Sequence, residues 1–206
     1  MKRMFPVAAL ALLVVAPVLA QTATPPAKPA ATVPAAPAAP AAQAAPVGPT
    51  DPLSRVLFSG YNAQKMNLTQ SAEKVSEADF AFQPTKDVRT FGQLLAHVAN
   101  TQFNYCSAAK GEANPNKDDF EKTATTKAAI QKALADSFTY CDTIYTTLTD
   151  AKAMEMVKIG QNDVIRAARL ISNIAHDNEH YGNLVTYMRL KGIVPPSTER
   201  AQQMRK

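Results

Sequence analysis

No stretch of this chain alternates apolar and polar residues for long, and no Asn-Gly dipeptide marks a hairpin. Both absences weigh against a sheet-based domain. Basic residues run together only as the pairs Lys2-Arg3 and Arg205-Lys206, with no longer block, so the formal charge of +5 is a scattered excess. Losing Lys2 and Arg3 with a leader lowers it by two, to +3. A dedicated nucleic-acid binder carries a basic patch with interleaved aromatics, and none is present, so no nucleic-acid partner is expected. No spacing supports a Ser-His-Asp or Cys-His nucleophile. Histidine is scarce: His97, His176 and His180 are the whole complement. Cysteine is scarcer, with Cys106 and Cys141 alone.

The ends read as non-globular. Lys2 and Arg3 precede an apolar run from Val7 to Leu19, and Val18-Leu19-Ala20 closes it with the residues a signal peptidase accepts. This predicts a signal peptide over residues 1–20. The run is short of the ~20 residues a membrane span needs, so no stable span is expected after cleavage; an uncleaved anchor is the alternative. No cysteine follows the cleavage point, which argues against a lipoprotein. Residues 21–50 are almost entirely Ala, Pro, Thr and Gln. Repeated Pro resists helix, and nothing there offers an apolar face, so the segment reads as a disordered tether. The expected location is periplasmic or secreted. Residues 51–197 form one domain large enough to bury a core unaided, with 198–206 as a tail.

Four helical stretches follow the tether. The first opens at Asp51-Pro52, a cap followed by Pro at the first helical position, and runs to about Val75 through Leu53, Val56, Leu57, Tyr61, Gln64 and Leu68. Thr90-Phe91-Gly92-Gln93 fits a capping box and opens the second, which places Phe91, Leu94, Leu95, Val98 and Gln102 on one face and ends at Gly111. The third runs from about Thr125 to Thr149 with a stripe of Ile130, Leu134, Phe138, Cys141, Ile144, Tyr145 and Leu148. The fourth begins near Asn162 or Asp163 and ends at Lys191, before Gly192 and Pro195-Pro196. The economical fold is an all-α four-helix bundle.

At about 100° per residue, directions on each helix follow from the sequence. Leu170, Ile174, Tyr181, Val185 and Met188 cluster on one side of the fourth helix, and His176 and His180 project roughly 120° away, beside Arg169, Asn173 and Tyr187. His97 is displaced by a similar angle from the Leu95/Val98 stripe, next to Thr101 and Asn104. Histidines that flank an apolar stripe suit a lateral cleft better than a core, although residues at i and i+4 share a face automatically. The spacing is not that of the zinc proteases, because Asp177 follows His176 where that motif has Glu. Asn100, Asn104, Asn173, Asp177 and Glu179 are candidate partners for the ring nitrogens, with solvated helix charges the plainer reading of the two acids.

Three segments carry a family resemblance: Phe91-Gly92-Gln93-Leu94-Leu95-Ala96-His97-Val98-Ala99, His176-Asp177-Asn178-Glu179-His180-Tyr181-Gly182-Asn183-Leu184, and Tyr187-Met188-Arg189-Leu190-Lys191-Gly192-Ile193-Val194-Pro195-Pro196-Ser197. Together they resemble the DinB-like superfamily, the damage-inducible bundles linked to YfiT-like proteins. The resemblance implies an up-down-down-up bundle. It also implies a divalent metal, commonly zinc or nickel, held by His97, His176 and His180. Relatives of that family include thiol-dependent transferases and metal-dependent hydrolases acting on small molecules. A non-catalytic ligand- or partner-binding bundle with a vestigial metal site is the alternative. The chain departs from cytoplasmic members in its leader and tether. In an oxidising compartment Cys106 and Cys141 are expected to form a disulfide joining the second and third helices, with a pair of buried thiols as the alternative. Homodimerisation through a helix face is compatible with such a bundle, but the sequence selects no face.

Overall fold

The computed structural model describes residues 48–206; the expected signal and nearly all of the tether lie outside the described residues. The elements in chain order are α1 (Pro52–Lys74), a 3-10 turn (Ala78–Ala81), α2 (Phe91–Lys110), α3 (Phe120–Thr123), α4 (Lys127–Tyr145), α5 (Asp150–Ala153), β1 (Met156–Ile159), β2 (Asn162–Ile165), α6 (Arg166–Leu190) and α7 (Pro196–Gln203). Among these residues no helix is long and apolar enough to cross a membrane.

Side-chain partners fix the course of the four long helices. Tyr61 meets Phe138 and Asp142, while Gln131 and Lys127 reach Ala72 and Val75, so α1 and α4 run antiparallel. Gln64 pairs with Asn178, and Gly60 lies against Ile174, so α1 and α6 run parallel. Cys106 and Cys141 are bonded near the C-terminal ends of α2 and α4, which makes those helices parallel. Gln102 meets Asn173 while His97 meets His176, so α2 and α6 are antiparallel. The result is the expected up-down-down-up bundle. Each of α1 and α2 packs against both α4 and α6.

The core is built as the periodicity indicated on α2 and α4. Thr90 and Gln93 form the capping box, and Thr126 caps α4. All seven stripe residues of the third stretch are buried. Tyr61 and Tyr145 stack at the centre, ring centroids 4.0 Å apart. Gly92 is required by packing: a Cβ there would meet Ile130 at 2.9 Å and the Phe80 carbonyl at 3.2 Å. The disulfide closes a 35-residue loop, a constraint on the unfolded chain of about 3–4 kcal/mol in the chain-entropy account.

Four expectations need correction. The fourth helix does not begin near Asn162; residues 156–165 form an antiparallel hairpin with Val157 opposite Val164. Its strands are four residues each, too short to register as alternation. Gly160, at φ 61°, occupies the first position of the two-residue turn, and no other residue there has positive φ. That is the Gly-first pattern of a II′ turn. Helix does not stop at the expected domain end of Ser197, because Pro196 starts α7, where a missing N–H costs nothing, and α7 runs to Gln203. Arg200 of α7 donates to Asn67 and Gln70 of α1, and Tyr181 donates to Ser197. Val56 is solvent-exposed rather than in the α1 stripe.

The fourth correction concerns the start of α1. Asp51 occupies the cap position but makes no capping hydrogen bond. Asp150, the first residue of α5, supplies the acceptors instead. It accepts from the Leu53 N–H (3.2 Å), the Ser54 N–H (2.8 Å) and the Ser54 hydroxyl (2.7 Å). Asp51 in turn accepts from the Asp150 N–H at 3.0 Å. The Ser54 hydroxyl, joined by the two amides and opposed by partial burial, holds the Asp150 carboxyl below its usual range. A carboxylate depressed in the fold stabilises it above the unfolded pKa of about 3.9, and that contribution is lost as pH falls through the lower folded value. Asp150→Asn should therefore lower the thermal midpoint at pH 7, and the gap to the parent should close as pH falls below about 4. A gap unchanged across a series of melts from pH 7 to pH 3 would contradict this.

Candidate metal centre

The capping box starts α2 at Phe91, and this phase sets His97 at the lip of the α2–α6 interface. The uninterrupted α6 carries His176 and His180 one turn apart on the opposing wall. The three rings converge. The Nε2 atoms of His176 and His97 lie 3.3 Å apart, and those of His180 and His176 3.1 Å apart. All three ligand nitrogens fall within 4.8 Å of one another. His180 is buried, while His97 and His176 are half-buried.

The opposite ring nitrogens explain which face points inward. His97 Nδ1 lies 2.6 Å from a Glu121 carboxylate oxygen, and only an N–H donated to that carboxylate satisfies both. His176 Nδ1 lies 3.3 Å from the Thr101 hydroxyl. That hydroxyl already donates to the backbone carbonyls of His97 and Val98, which leaves it to accept from His176. Both assignments leave Nε2 with a lone pair aimed at the common centre. His180 Nδ1 is buried and, among the described residues, has no hydrogen-bond partner. Burial, then the neighbouring rings of His180 and His97, push His176 down to about 4. Burial and His97 lower His180 as well. Those two rings are thus shifted toward the neutral form, the form that offers lone pairs.

Glu121 is tied on its other oxygen by Arg89 Nε at 2.7 Å. Burial pushes its carboxyl up, but the hydrogen bonds from Arg89 and His97 outweigh this and hold it below its usual range. Two clefts meet at the rings. One, of about 750 Å³, is lined by Arg89, Gln93, Glu179, His180, Asn183 and Tyr187 among others. The second, of about 370 Å³, opens on His97 and is walled by Asn100, Asn104, Asn116 and Glu121.

The sequence reading brought the three histidines together correctly and misjudged their surroundings. Neither Asn100, Asn104, Asn173, Asp177 nor Glu179 bonds a ring nitrogen. Asn100 braces the α2–α3 loop, accepting from the Phe120 N–H and donating to Asp119. Glu179 is exposed in the larger cleft. Glu121 was missed altogether, because it reaches the site from α3, whose one turn carries no periodic signal.

Asp177 is fully buried rather than a solvated charge. It accepts from Gln102 Nε2 (2.8 Å) and Asn173 Nδ2 (3.3 Å), and Asn173 also donates to Gln102 Oε1 at 2.9 Å. Burial pushes its carboxyl well above the usual range against the Gln102 bond, favouring the uncharged form. The buried residues of α6 are Ala167, Leu170, Asn173, Asp177, His180, Tyr181, Leu184, Tyr187 and Met188. Their face is centred nearer the histidines than the apolar residues alone suggested.

The fold and the site define a four-helix bundle with a cluster of three histidines at the edge of its α2–α6 interface. The sequence profile of the DinB superfamily matches residues 61–184, and the chain belongs to that family. Solved structures agree on the fold. A DinB-like protein from Bacillus cereus superposes with a TM-score of 0.60 at 14% identity, covering 69% of this chain and 95% of its own. A DinB-like protein from Bacillus subtilis gives 0.51 at 18%, covering 66% and 92%. A conserved protein from Enterococcus faecalis gives 0.55 at 15%, covering 69% and 98%. No curated protein matches the chain.

Gln102 joins α2 to both polar residues of α6 and is itself fully buried. Gln102→Leu keeps the volume but strands Asp177 and Asn173 without their partner. Unfolding in urea should show a loss of about 1–3 kcal/mol, and a midpoint equal to the parent's would refute the network's role.

Proposed function

We propose that the chain is an exported metalloprotein that holds one divalent ion on His97, His176 and His180 and uses it in hydrolysis or group transfer on a small molecule. The observation that carries this is the convergence of three Nε2 lone pairs with two Nδ1 positions already committed to Glu121 and Thr101. Three lone pairs this close repel one another unless a cation lies between them. The separations of 3.1 and 3.3 Å fit the edge of a tetrahedron, which is about 3.3 Å for zinc–nitrogen bonds of 2.0–2.1 Å. Zinc or nickel is the expected ion, since imidazole suits both.

Three protein ligands leave coordination positions open, the pattern of a catalytic rather than a structural site. When bound, the ion supplies Lewis acidity, bringing the pKa of a coordinated water or thiol toward neutrality. The chain supplies the rest. Glu121 orients the His97 ring and fixes its tautomer, as second acceptors do for metal-ligating histidines. Arg89 holds Glu121 in place. The larger cleft admits the substrate beside His180. The predicted leader and the Cys106–Cys141 disulfide both support an oxidising compartment, and export favours water over a cytoplasmic thiol as the nucleophile.

Elemental analysis of the mature chain purified from zinc- and nickel-replete medium should find about one ion per chain, and His180→Ala should lose most of it. Glu121→Gln should keep the fold and weaken affinity roughly 10–100-fold. A metal-free parent would sink the reading. A loaded parent inactive against ester, amide and phosphoester panels and in thiol-transfer assays would mark the bundle as a binding protein instead.

A further inference from the structure

The larger cleft has one cation positioned to read a ligand. Arg89 ends the segment that leads into α2, and its backbone is pinned because Tyr187 donates to the Arg89 carbonyl at 2.9 Å. Thr90 follows as the helix cap, fixing the chain on the other side. The guanidinium is fixed as well: Nε donates to Glu121, and among the described residues the two terminal amino groups make no hydrogen bond. The side chain is 42% exposed and lines the same cleft as His180. Lys86 and Asp87, also in that cleft, pair with each other at 2.8 Å and are well exposed.

A guanidinium held by Nε presents its other edge, two parallel N–H groups that match a carboxylate or a phosphate bidentately. Fixing the fork beforehand removes most of the rotamer entropy that a free arginine would lose on binding. Arg89 offsets Glu121, and a divalent ion would outweigh Glu179, so this end of the cleft would be left positively charged. We propose that Arg89 is an oxyanion subsite of the histidine centre, and that the small molecule taken there carries a carboxylate or phosphate group lying on Arg89 while its reacting end faces His180. This deepens the metal-site reading and rests on it.

The test uses the cobalt(II)-loaded mature chain, with inorganic phosphate and azide titrated separately and followed by visible absorption. Azide needs only an open coordination position; phosphate can also engage the fork. Arg89→Lys keeps the charge and removes the fork. Phosphate should bind about ten-fold more weakly to this variant, with azide affinity changed less than about two-fold. Arg89→Gln should weaken phosphate further still. If phosphate affinity is unchanged in Arg89→Lys, or falls no more than azide affinity does, Arg89 only braces Glu121 and the subsite is overturned while the metal site stands. A parent chain that takes up no cobalt overturns both.

Discussion

The contact of Gln102 with Asn173 and Asp177 determines how α2 and α6 face each other. These three polar side chains are fully buried and bond one another, and the Tyr145 hydroxyl donates to Asn173 as well. An apolar interface tolerates sliding by a fraction of a turn; a buried amide–carboxyl set does not, because any shift leaves desolvated groups unpaired. The constraint acts next to the functional atoms. Gln102 follows His97 by little more than one turn, and Asp177 is the residue after His176. The register that satisfies the polar set is the register that brings three ring nitrogens to one point.

The same logic extends outward. Glu121 could not reach His97 unless the α2–α4 connection folded back over α2, and Asn100 holds it there through the Phe120 amide and the Asp119 carboxylate. Arg89 then spans from the segment before α2 to Glu121. A loop on each side of the α2 wall is thereby drawn to one side of the histidines, while the disulfide secures α2 to α4 near its opposite end. The tethers are concentrated on α2, the helix that contributes only one of the three histidines.

Much of this was legible in the sequence where side chains are apolar and periodic. Thr90 and Gln93 announced α2, and seven spaced residues announced α4. The DinB-like segments selected the three histidines and the bundle's course. What failed did so for physical reasons. The α6 stripe was mis-centred because Asn173 and Asp177 occupy core positions that hydrophobicity assigns to solvent. Glu121 sits on a single helical turn, where there is no period to read. The hairpin at 156–165 has too few residues for alternation to emerge. Asp150 acts on Leu53 and Ser54 at a sequence distance that no local cap rule covers.

That last contact bears on how the domain assembles. Leu53 and Asp150 are 97 residues apart, so the first turn of α1 stays incomplete until most of the chain has emerged. A domain threaded out of a membrane from its N-terminus would present α1 first and finish it late. Until α5 arrives, the leading helix has open amide donors at its start, and closure of the bundle coincides with their capture. The residue that completes the beginning of the fold is thus synthesised only shortly before the helix that carries two of the three histidines.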